Sequence, residues 1–179
     1  SKLIRNEEYI NYLNKKIIEF TTIAISNEFP VEGAQNIGLF LKVVADIERI
    51  GDHAVNIAER AKKLDEDDEH FSAQAMEEIG IMSSLANNIL DELKILSYDE
   101  LDDIVDKVDI IEDNIDATTQ EFTVNQLSRL KKKICSAENS VVYTKTLTDF
   151  ERIGDHGLNI AKNFSKLEAT MVAMKMVEA

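Results

Sequence analysis

The sequence contains one block twice: residues 46–58 read DIERIGDHAVNIA and residues 149–161 read DFERIGDHGLNIA. Ten of the thirteen positions are identical when the chain is shifted by 103 residues against itself. Core packing alone would keep apolar character while exchanging side chains, whereas here charged, amide and glycine residues recur in register. The block therefore indicates an internal duplication whose polar residues have a shared role.

The repeated residues place carboxylates one helical turn apart. In the first block, Glu48, Asp52 and Asn56 form a stripe of oxygen donors on one helix face. Carboxylates this close repel one another unless an arginine of the next stripe or a metal ion lies between them, and the sequence leaves both alternatives open. Oxygen donors suit Mg²⁺, Ca²⁺, Mn²⁺ or iron better than thiophilic metals. The second block repeats the stripe with Glu151, Asp155 and Asn159.

A fainter match precedes each block on the chain. Glu112 and Asp116 form a third carboxylate pair, and Glu7 and Asn11 have the same spacing at nearly the same distance upstream of the first block. Asn11 carries no charge, so this fourth pair is the weaker one. We expect a single domain of residues 1–179, with repeats over 7–64 and 112–167 joined by a helix over 72–96.

Glycine and histidine also recur within the block. Glycine inside a helix costs about 1 kcal/mol relative to alanine, so keeping Gly51 and Gly154 indicates close approach of a neighbouring helix or a ligand. His53 and His156 follow the carboxylates directly. We expect both histidines to support the ligands or to cap a carboxylate, rather than to bind a metal themselves.

Composition narrows the function classes. The 179 residues carry 20 Lys plus Arg against 34 Asp plus Glu, a net charge of −14, which disfavours nucleic acid and favours cations as partners. The single cysteine, Cys135, excludes an intramolecular disulfide and a zinc-thiolate cluster, and we expect it to be a small buried residue. No apolar run approaches the roughly 20 residues of a membrane span.

Apolar residues at helical spacing predict an all-α antiparallel bundle. Pro30 ends the first helix, the acidic residues 65–69 are expected to form a solvated linker, and Ser97 with Glu100 forms a capping box for the fourth helix. The remaining tail either extends the fifth helix or begins a sixth. The predicted helices run over about 6–27, 35–64, 72–96, 97–134 and 140–167.

The doubled block resembles the PhoU family of phosphate-uptake regulators, whose hallmark is a Glu(or Asp)-x-x-x-Asp motif repeated on the helices of two three-helix bundles. The resemblance covers about residues 7–167. It implies a duplicated helical bundle that binds multinuclear metal clusters, often iron or zinc, with manganese, nickel, magnesium or calcium as further candidates. The ligands carried over are Glu48, Asp52, Glu112, Asp116, Glu151 and Asp155. Weaker or supporting residues are Glu7, Asn11, Asp46, His53, Asn56, Asp149, His156 and Asn159.

Two departures from the family pattern matter. Asn11 stands where the pattern has Asp, so the first site is expected to bind metal weakly. The N-terminal helix that opens a free-standing PhoU has no counterpart here. This shortened form resembles the cytoplasmic C-terminal domain of bacterial sodium/phosphate cotransporters. It implies a place at the inner face of the membrane, a membrane domain in the same polypeptide or phosphate-signalling proteins as partners, and a homodimer.

Three functions compete at this point. A metal-binding regulatory module without chemistry of its own agrees with the resemblance, and we expect this function and no enzymatic activity. A carboxylate-bridged di-metal oxidase would carry Glu-x-x-His, whereas His53 stands five residues after Glu48 and His156 five after Glu151. A purely structural interaction bundle would fold and bind partners with all metals chelated.

Overall fold

The structure, a computed structural model, describes residues 2–25, 31–94 and 101–177. Within these ranges it contains helices and turns and no strand, which confirms the all-α prediction. None of the helices in these ranges is both long and apolar enough to cross a membrane. The helices are α1 (Lys2–Ile25), α2 (Val31–Glu66), α3 (Ala73–Lys94), α4 (Leu101–Lys131) and α5 (Ala137–Val177).

The helix ends differ from the sequence predictions in informative ways. The acidic run was expected to be a linker, yet α2 continues to Glu66. Asp68 then adopts a left-handed conformation with φ 53°, and the Glu69 amide donates to the Leu64 carbonyl at 2.9 Å. This αL termination satisfies the last carbonyls of the helix, so charge repulsion does not unwind the final turn.

The ends of α4 and α5 follow the same logic. α4 ends at Lys131, three residues before the predicted end at Ile134. Lys133 follows in a left-handed conformation with φ 56°. α5 begins at Ala137, earlier than predicted, because the Ser136 hydroxyl accepts the Asn139 amide at 3.0 Å and caps the helix. The tail extends α5 to residue 177 instead of forming a sixth helix. The predicted capping box and residues 26–27 and 95–96 lie outside the described residues.

The two repeats meet through α2 and α5, which pack along each other in the centre of the molecule. His53 is paired with Asp149 and Asp46 with His156, so the two helices run antiparallel and are related by an approximate twofold axis. α1 packs on α2 and α4 packs on α5. Among the described residues, the backbone of α3 contacts only α4 and α5 and has no counterpart beside α1 and α2.

The core is correspondingly lopsided. Among the described residues, the largest fully buried side chains all belong to α3, α4 and α5, whereas α1 exposes several large apolar side chains, including Tyr9 and Phe20. Cys135 is half-buried rather than buried, because it lies in the α4–α5 turn, where Gln126 Nε2 donates to its sulfur at 3.3 Å. The fully buried set is Met82, Ile89, Val108, Ile115, Tyr143 and Leu147.

Candidate metal centre

The repeated glycine lets α4 and α5 approach closely at the candidate site. A Cβ added to Gly154 would lie 3.1 Å from Ile115 Cδ1 and 3.7 Å from Glu112 Cγ. A Cβ on Gly51 would lie 3.5 Å from Ile10 Cδ1, an ordinary contact. The glycines therefore serve helix packing, as one of the two sequence interpretations held, and the approach is tighter in the second repeat.

Three carboxylates from the two facing helices converge beside Gly154. Glu112 and Asp116 on α4 and Asp155 on α5 each offer an oxygen, and these atoms lie within 4.8 Å of one another. All three side chains are half-buried. Such a cluster is an oxygen-only donor set of the kind that hard cations prefer.

Electrostatics at the cluster show mutual repulsion. Burial, then the charges of Asp116 and Asp155, raise the pKa of Glu112 to about 7. Burial and the Asp155 charge also raise the pKa of Asp116. Burial and the nearby Asp116 raise the pKa of Glu151, which places a fourth carboxylate within electrostatic reach. The cluster therefore favours a proton or a cation at neutral pH.

Two further observations test whether these residues fit a metal ion. Asp116 Oδ1 is buried and has no hydrogen-bond partner in the described part of the chain. A buried carboxylate oxygen without a donor is costly unless a cation or water reaches it. Arg152 lies 2.8 Å from Asp155 Oδ2, but it is more than half exposed and occupies only one of that residue's oxygens. The residues of the second repeat fit a cation.

The first repeat does not form the equivalent cluster. The Asn11 amide donates to the Glu7 carboxylate, which satisfies one member of the pair without a cation. Asp52 is exposed and Glu48 only half-buried, and within the described ranges neither belongs to a convergent group of three ligands. Asn56 and Asn159, the ends of the two stripes, are both exposed.

Each repeated histidine lies against the carboxylate of a repeated Asp, but the Asp belongs to the other repeat, which the sequence did not indicate. Asp149 accepts from His53 at 2.7 Å and from Arg60, and Asp46 lies 2.9 Å from His156 Nδ1. The two imidazole rings stack at 5.6 Å. Each pair joins one repeat to the other. The seven-residue Asp-to-His spacing, two helical turns, was the available signal.

Comparison with known proteins agrees with the fold. The family described as the PhoU domain matches residues 1–61 and 79–164. The phosphate-specific transport system accessory protein PhoU homolog 1 of Thermotoga maritima is 27% identical over 168 residues, covering 93% of this chain and 72% of the relative. The crystal structure of PhoU from Pseudomonas aeruginosa superposes with a TM-score of 0.81 at 23% identity, over 93% of this chain and 79% of that one. The crystal structure of the phosphate transport system regulatory protein PhoU from Streptococcus pneumoniae superposes with a TM-score of 0.72 at 22% identity, over 93% of this chain and 77% of that one.

Proposed function

The chain belongs to the PhoU family, and on that premise we propose that it is a metal-binding regulatory module of phosphate transport and not an enzyme. Relatives that share about a quarter of its residues are named accessory proteins of phosphate-specific transport systems. Its partners would be a phosphate transporter and a second copy of itself. In a sodium/phosphate cotransporter, the transporter's membrane domain would belong to the same polypeptide as this domain. This role places the domain in the cytoplasm at the inner membrane face.

The observation that carries the metal part of the proposal is the convergence of Glu112, Asp116 and Asp155 within 4.8 Å around an unpartnered buried oxygen. These three residues would hold the ion, and Glu151 would complete its coordination. A bound metal ion would supply the positive charge that offsets the repulsion among these carboxylates. Iron fits the oxygen-only donor set, and the same chemistry admits manganese, magnesium or calcium more readily than zinc or nickel.

Metal occupancy would act as the regulatory signal. The ligands would come from two facing helices, so a bound ion would neutralise the carboxylates between α4 and α5, whereas without it these carboxylates repel one another. The surface that these helices present to a transporter would then depend on metal occupancy. Glu48 and Asp52 form a weaker counterpart, because Asn11 already satisfies Glu7.

The oxidase alternative is less well supported. The convergent group contains carboxylates only. His53 and His156, the histidines of the repeated block, are paired with Asp149 and Asp46. A metal-free interaction bundle remains the alternative that the following experiment separates from a metal switch.

The test is elemental analysis of tag-free protein purified with and without added iron, manganese, zinc or magnesium. We expect at least about one ion per chain in the wild type and its loss in Asp116→Asn/Asp155→Asn. The matched control, Glu48→Gln/Asp52→Asn in the pseudo-equivalent positions, should retain nearly all bound metal. Phosphate uptake by cells carrying each variant then reports regulation. Equal metal content in the wild type and the second-repeat variant, or none in either, would overturn the metal switch.

A further inference from the structure

A polar cavity of about 390 Å³ lies at the end of the second repeat where α4 ends and where α3 and α5 begin. Its volume is within the range of small-molecule sites, about 300–1,000 Å³. No residue that lines it belongs to α1 or α2. The cavity is also separate from the carboxylate cluster, because Gln126 at its wall stands about 15 Å further along α4 than Asp116 at 1.5 Å per residue.

Gln126 presents a hydrogen-bond donor to this cavity. Arg129 Nε donates to Gln126 Oε1 at 2.7 Å, and Arg129 is itself held by both oxygens of Glu78. This contact turns Gln126 Nε2 away from Arg129 and towards Cys135, whose sulfur at 3.3 Å is its acceptor in the described part of the chain. Sulfur is a weak acceptor, and Gln126 is only 3% exposed. The wall of the cavity therefore carries a buried amide nitrogen that lacks a strong acceptor.

Two serine hydroxyls add further donors. Ser72 Oγ accepts from the Ala75 amide at 3.2 Å, and Ser136 Oγ accepts from the Asn139 amide at 3.0 Å. A hydroxyl that accepts an amide proton still has its own proton to donate. The two serines also mark the N-termini of α3 and α5, which both adjoin the cavity, and the dipoles of both helices favour negative charge there.

Lys133 brings a full positive charge to the cavity. Its side chain is exposed and lines the cavity, and Lys131 and Lys132 precede it on the chain. The net charge of −14 repels anions from the average surface of this protein. Hydrogen-bond donors and basic residues are concentrated at this cavity, so it is the opposite of the average surface and favours an anion.

A carboxylate of the chain already lies in this cavity. Glu69 accepts from Asn139 Nδ2 at 2.8 Å, in the first turn of α5. Glu69 is exposed and belongs to the short connection between α2 and α3, so its side chain can move away without unfolding a helix. The position of this carboxylate indicates the kind of group that the cavity attracts, and an external anion would compete with it.

We propose that this cavity binds a phosphate-type oxyanion, either inorganic phosphate or the phosphate group of a small monoester. Gln126 Nε2, Lys133 and the two serine hydroxyls donate to its oxygens, and the Glu69 carboxylate gives up its place beside Asn139. A tetrahedral oxyanion offers several acceptor oxygens, which suits a wall that carries donors from three helices. The site does not depend on the metal proposal, so the failure of either leaves the other standing.

Equilibrium dialysis with labelled phosphate, in chelator and at an ionic strength fixed with sodium chloride, tests the site. The wild type is expected to bind phosphate with a Kd below about 1 mM. Gln126→Glu places a carboxylate where the donor stood and should weaken binding at least about tenfold. Lys133→Gln should weaken it about threefold or more, whereas Lys107→Gln, the same charge change near the start of α4, should not. Circular dichroism of each variant establishes that it retains its helices.

Glu69→Gln should have the opposite effect. It removes the competing charge, while its amide oxygen can still accept from Asn139, so phosphate should bind about threefold tighter. Competition with glycerol 3-phosphate distinguishes the two sources of the oxyanion. Displacement at a lower concentration than unlabelled phosphate requires identifies a monoester site, and displacement only at a higher concentration identifies a site for the free ion.

Alkylation of Cys135 by uncharged iodoacetamide locates the bound anion, because this half-buried thiol lines the cavity. Phosphate should slow the alkylation in the wild type and should not slow it in Gln126→Glu. A Kd weaker than about 1 mM in the wild type, binding indifferent to Gln126→Glu and Lys133→Gln, or no gain in affinity in Glu69→Gln would overturn the proposal. Phosphate that binds without protecting Cys135 would also overturn it, because the anion then lies elsewhere.

Discussion

His53 Nδ1 on α2 lies 2.7 Å from Asp149 Oδ1 on α5, and the twofold-related His156 lies 2.9 Å from Asp46. The Asp149 carboxylate, only 5% exposed, also accepts from Arg60. These crossed pairs connect the two halves of the molecule through α2 and α5. The repeated Asp and His residues thus join the two halves of the molecule.

Asp149→Asn should weaken the contact between α2 and α5. It removes the charge shared by His53 and Arg60, and we expect a loss of about 2–3 kcal/mol of folding free energy, which lowers Tm by about 5–10 °C. Differential scanning calorimetry measures the shift. Asp109→Asn, which breaks the exposed pair with Lys162, is the control and should change Tm little. An unchanged Tm in Asp149→Asn would show that the crossed pairs do not stabilise the fold.

A buried ion pair anchors α3 to the second repeat. Arg129 donates to both oxygens of Glu78, at 3.0 and 2.6 Å, and both residues are about 5% exposed. Burial alone would raise the pKa of Glu78, but hydrogen bonds from Arg129, Tyr143 and Asn125 outweigh it and lower that pKa.

Arg129→Met should destabilise the protein by about 3–5 kcal/mol, because it leaves the Glu78 carboxylate buried without its partner. Glu78→Leu/Arg129→Met removes both charges and should recover most of that loss. Urea unfolding followed by circular dichroism measures both values. Because the folded pKa of Glu78 is lowered, its contribution is present above the unfolded pKa and lost as pH falls through the folded one. If Arg129→Met and Glu78→Leu/Arg129→Met are equally stable, the loss of stability in Arg129→Met does not come from the unpaired charge of Glu78.

Glycine-to-alanine changes separate close helix contact from mere helix weakening. At Gly51 the added Cβ has an ordinary 3.5 Å contact, so alanine should stabilise the helix by about 0.5–1 kcal/mol. At Gly157 the added Cβ would overlap Ile89 of α3, so alanine should destabilise by about 1–3 kcal/mol. Paired thermal melts test the opposite signs. The same sign at both positions would contradict the packing assigned to α3.

The raised pKa of Glu112, about 7, predicts how metal-free protein responds to pH. The folded state holds a proton that the unfolded chain releases near pH 4.5, so raising pH from 5 to 8 should lower the free energy of unfolding. Glu112→Gln cannot release that proton and should flatten this dependence. Urea unfolding in chelator across this range measures it. For the same reason, metal binding should release protons below about pH 7 and strengthen as pH rises. Identical pH profiles for wild type and variant would exclude Glu112 as the source.

The cluster was only partly predictable from sequence. Glu112, Asp116 and Asp155 were named because spacing places them on helix faces, and the structure brings these three together. Glu48 and Asp52 have identical spacing but do not converge with a third ligand in the described ranges. Spacing along one helix fixes the angle of a side chain about its own axis, but not its distance from a side chain on another helix.

The sequence by itself indicated the helices, because apolar periodicity is a local property. It also indicated the internal duplication, because the repeated block can be read without knowing how the helices pack. Asn11 in place of Asp already indicates from the sequence that the first half is the weaker one, but only the tertiary structure shows that Glu112, Asp116 and Asp155 converge in the second. A Cβ added to Gly154 in the second repeat would lie 3.1 Å from Ile115 Cδ1. A Cβ added to Gly51 in the first repeat would lie 3.5 Å from Ile10 Cδ1. The tertiary structure also decided that, among the described residues, the backbone of α3 packs against α4 and α5 and not against α1 or α2. Contacts between distant segments set the convergence of the carboxylates and the position of α3, and periodicity along a single helix does not encode such contacts.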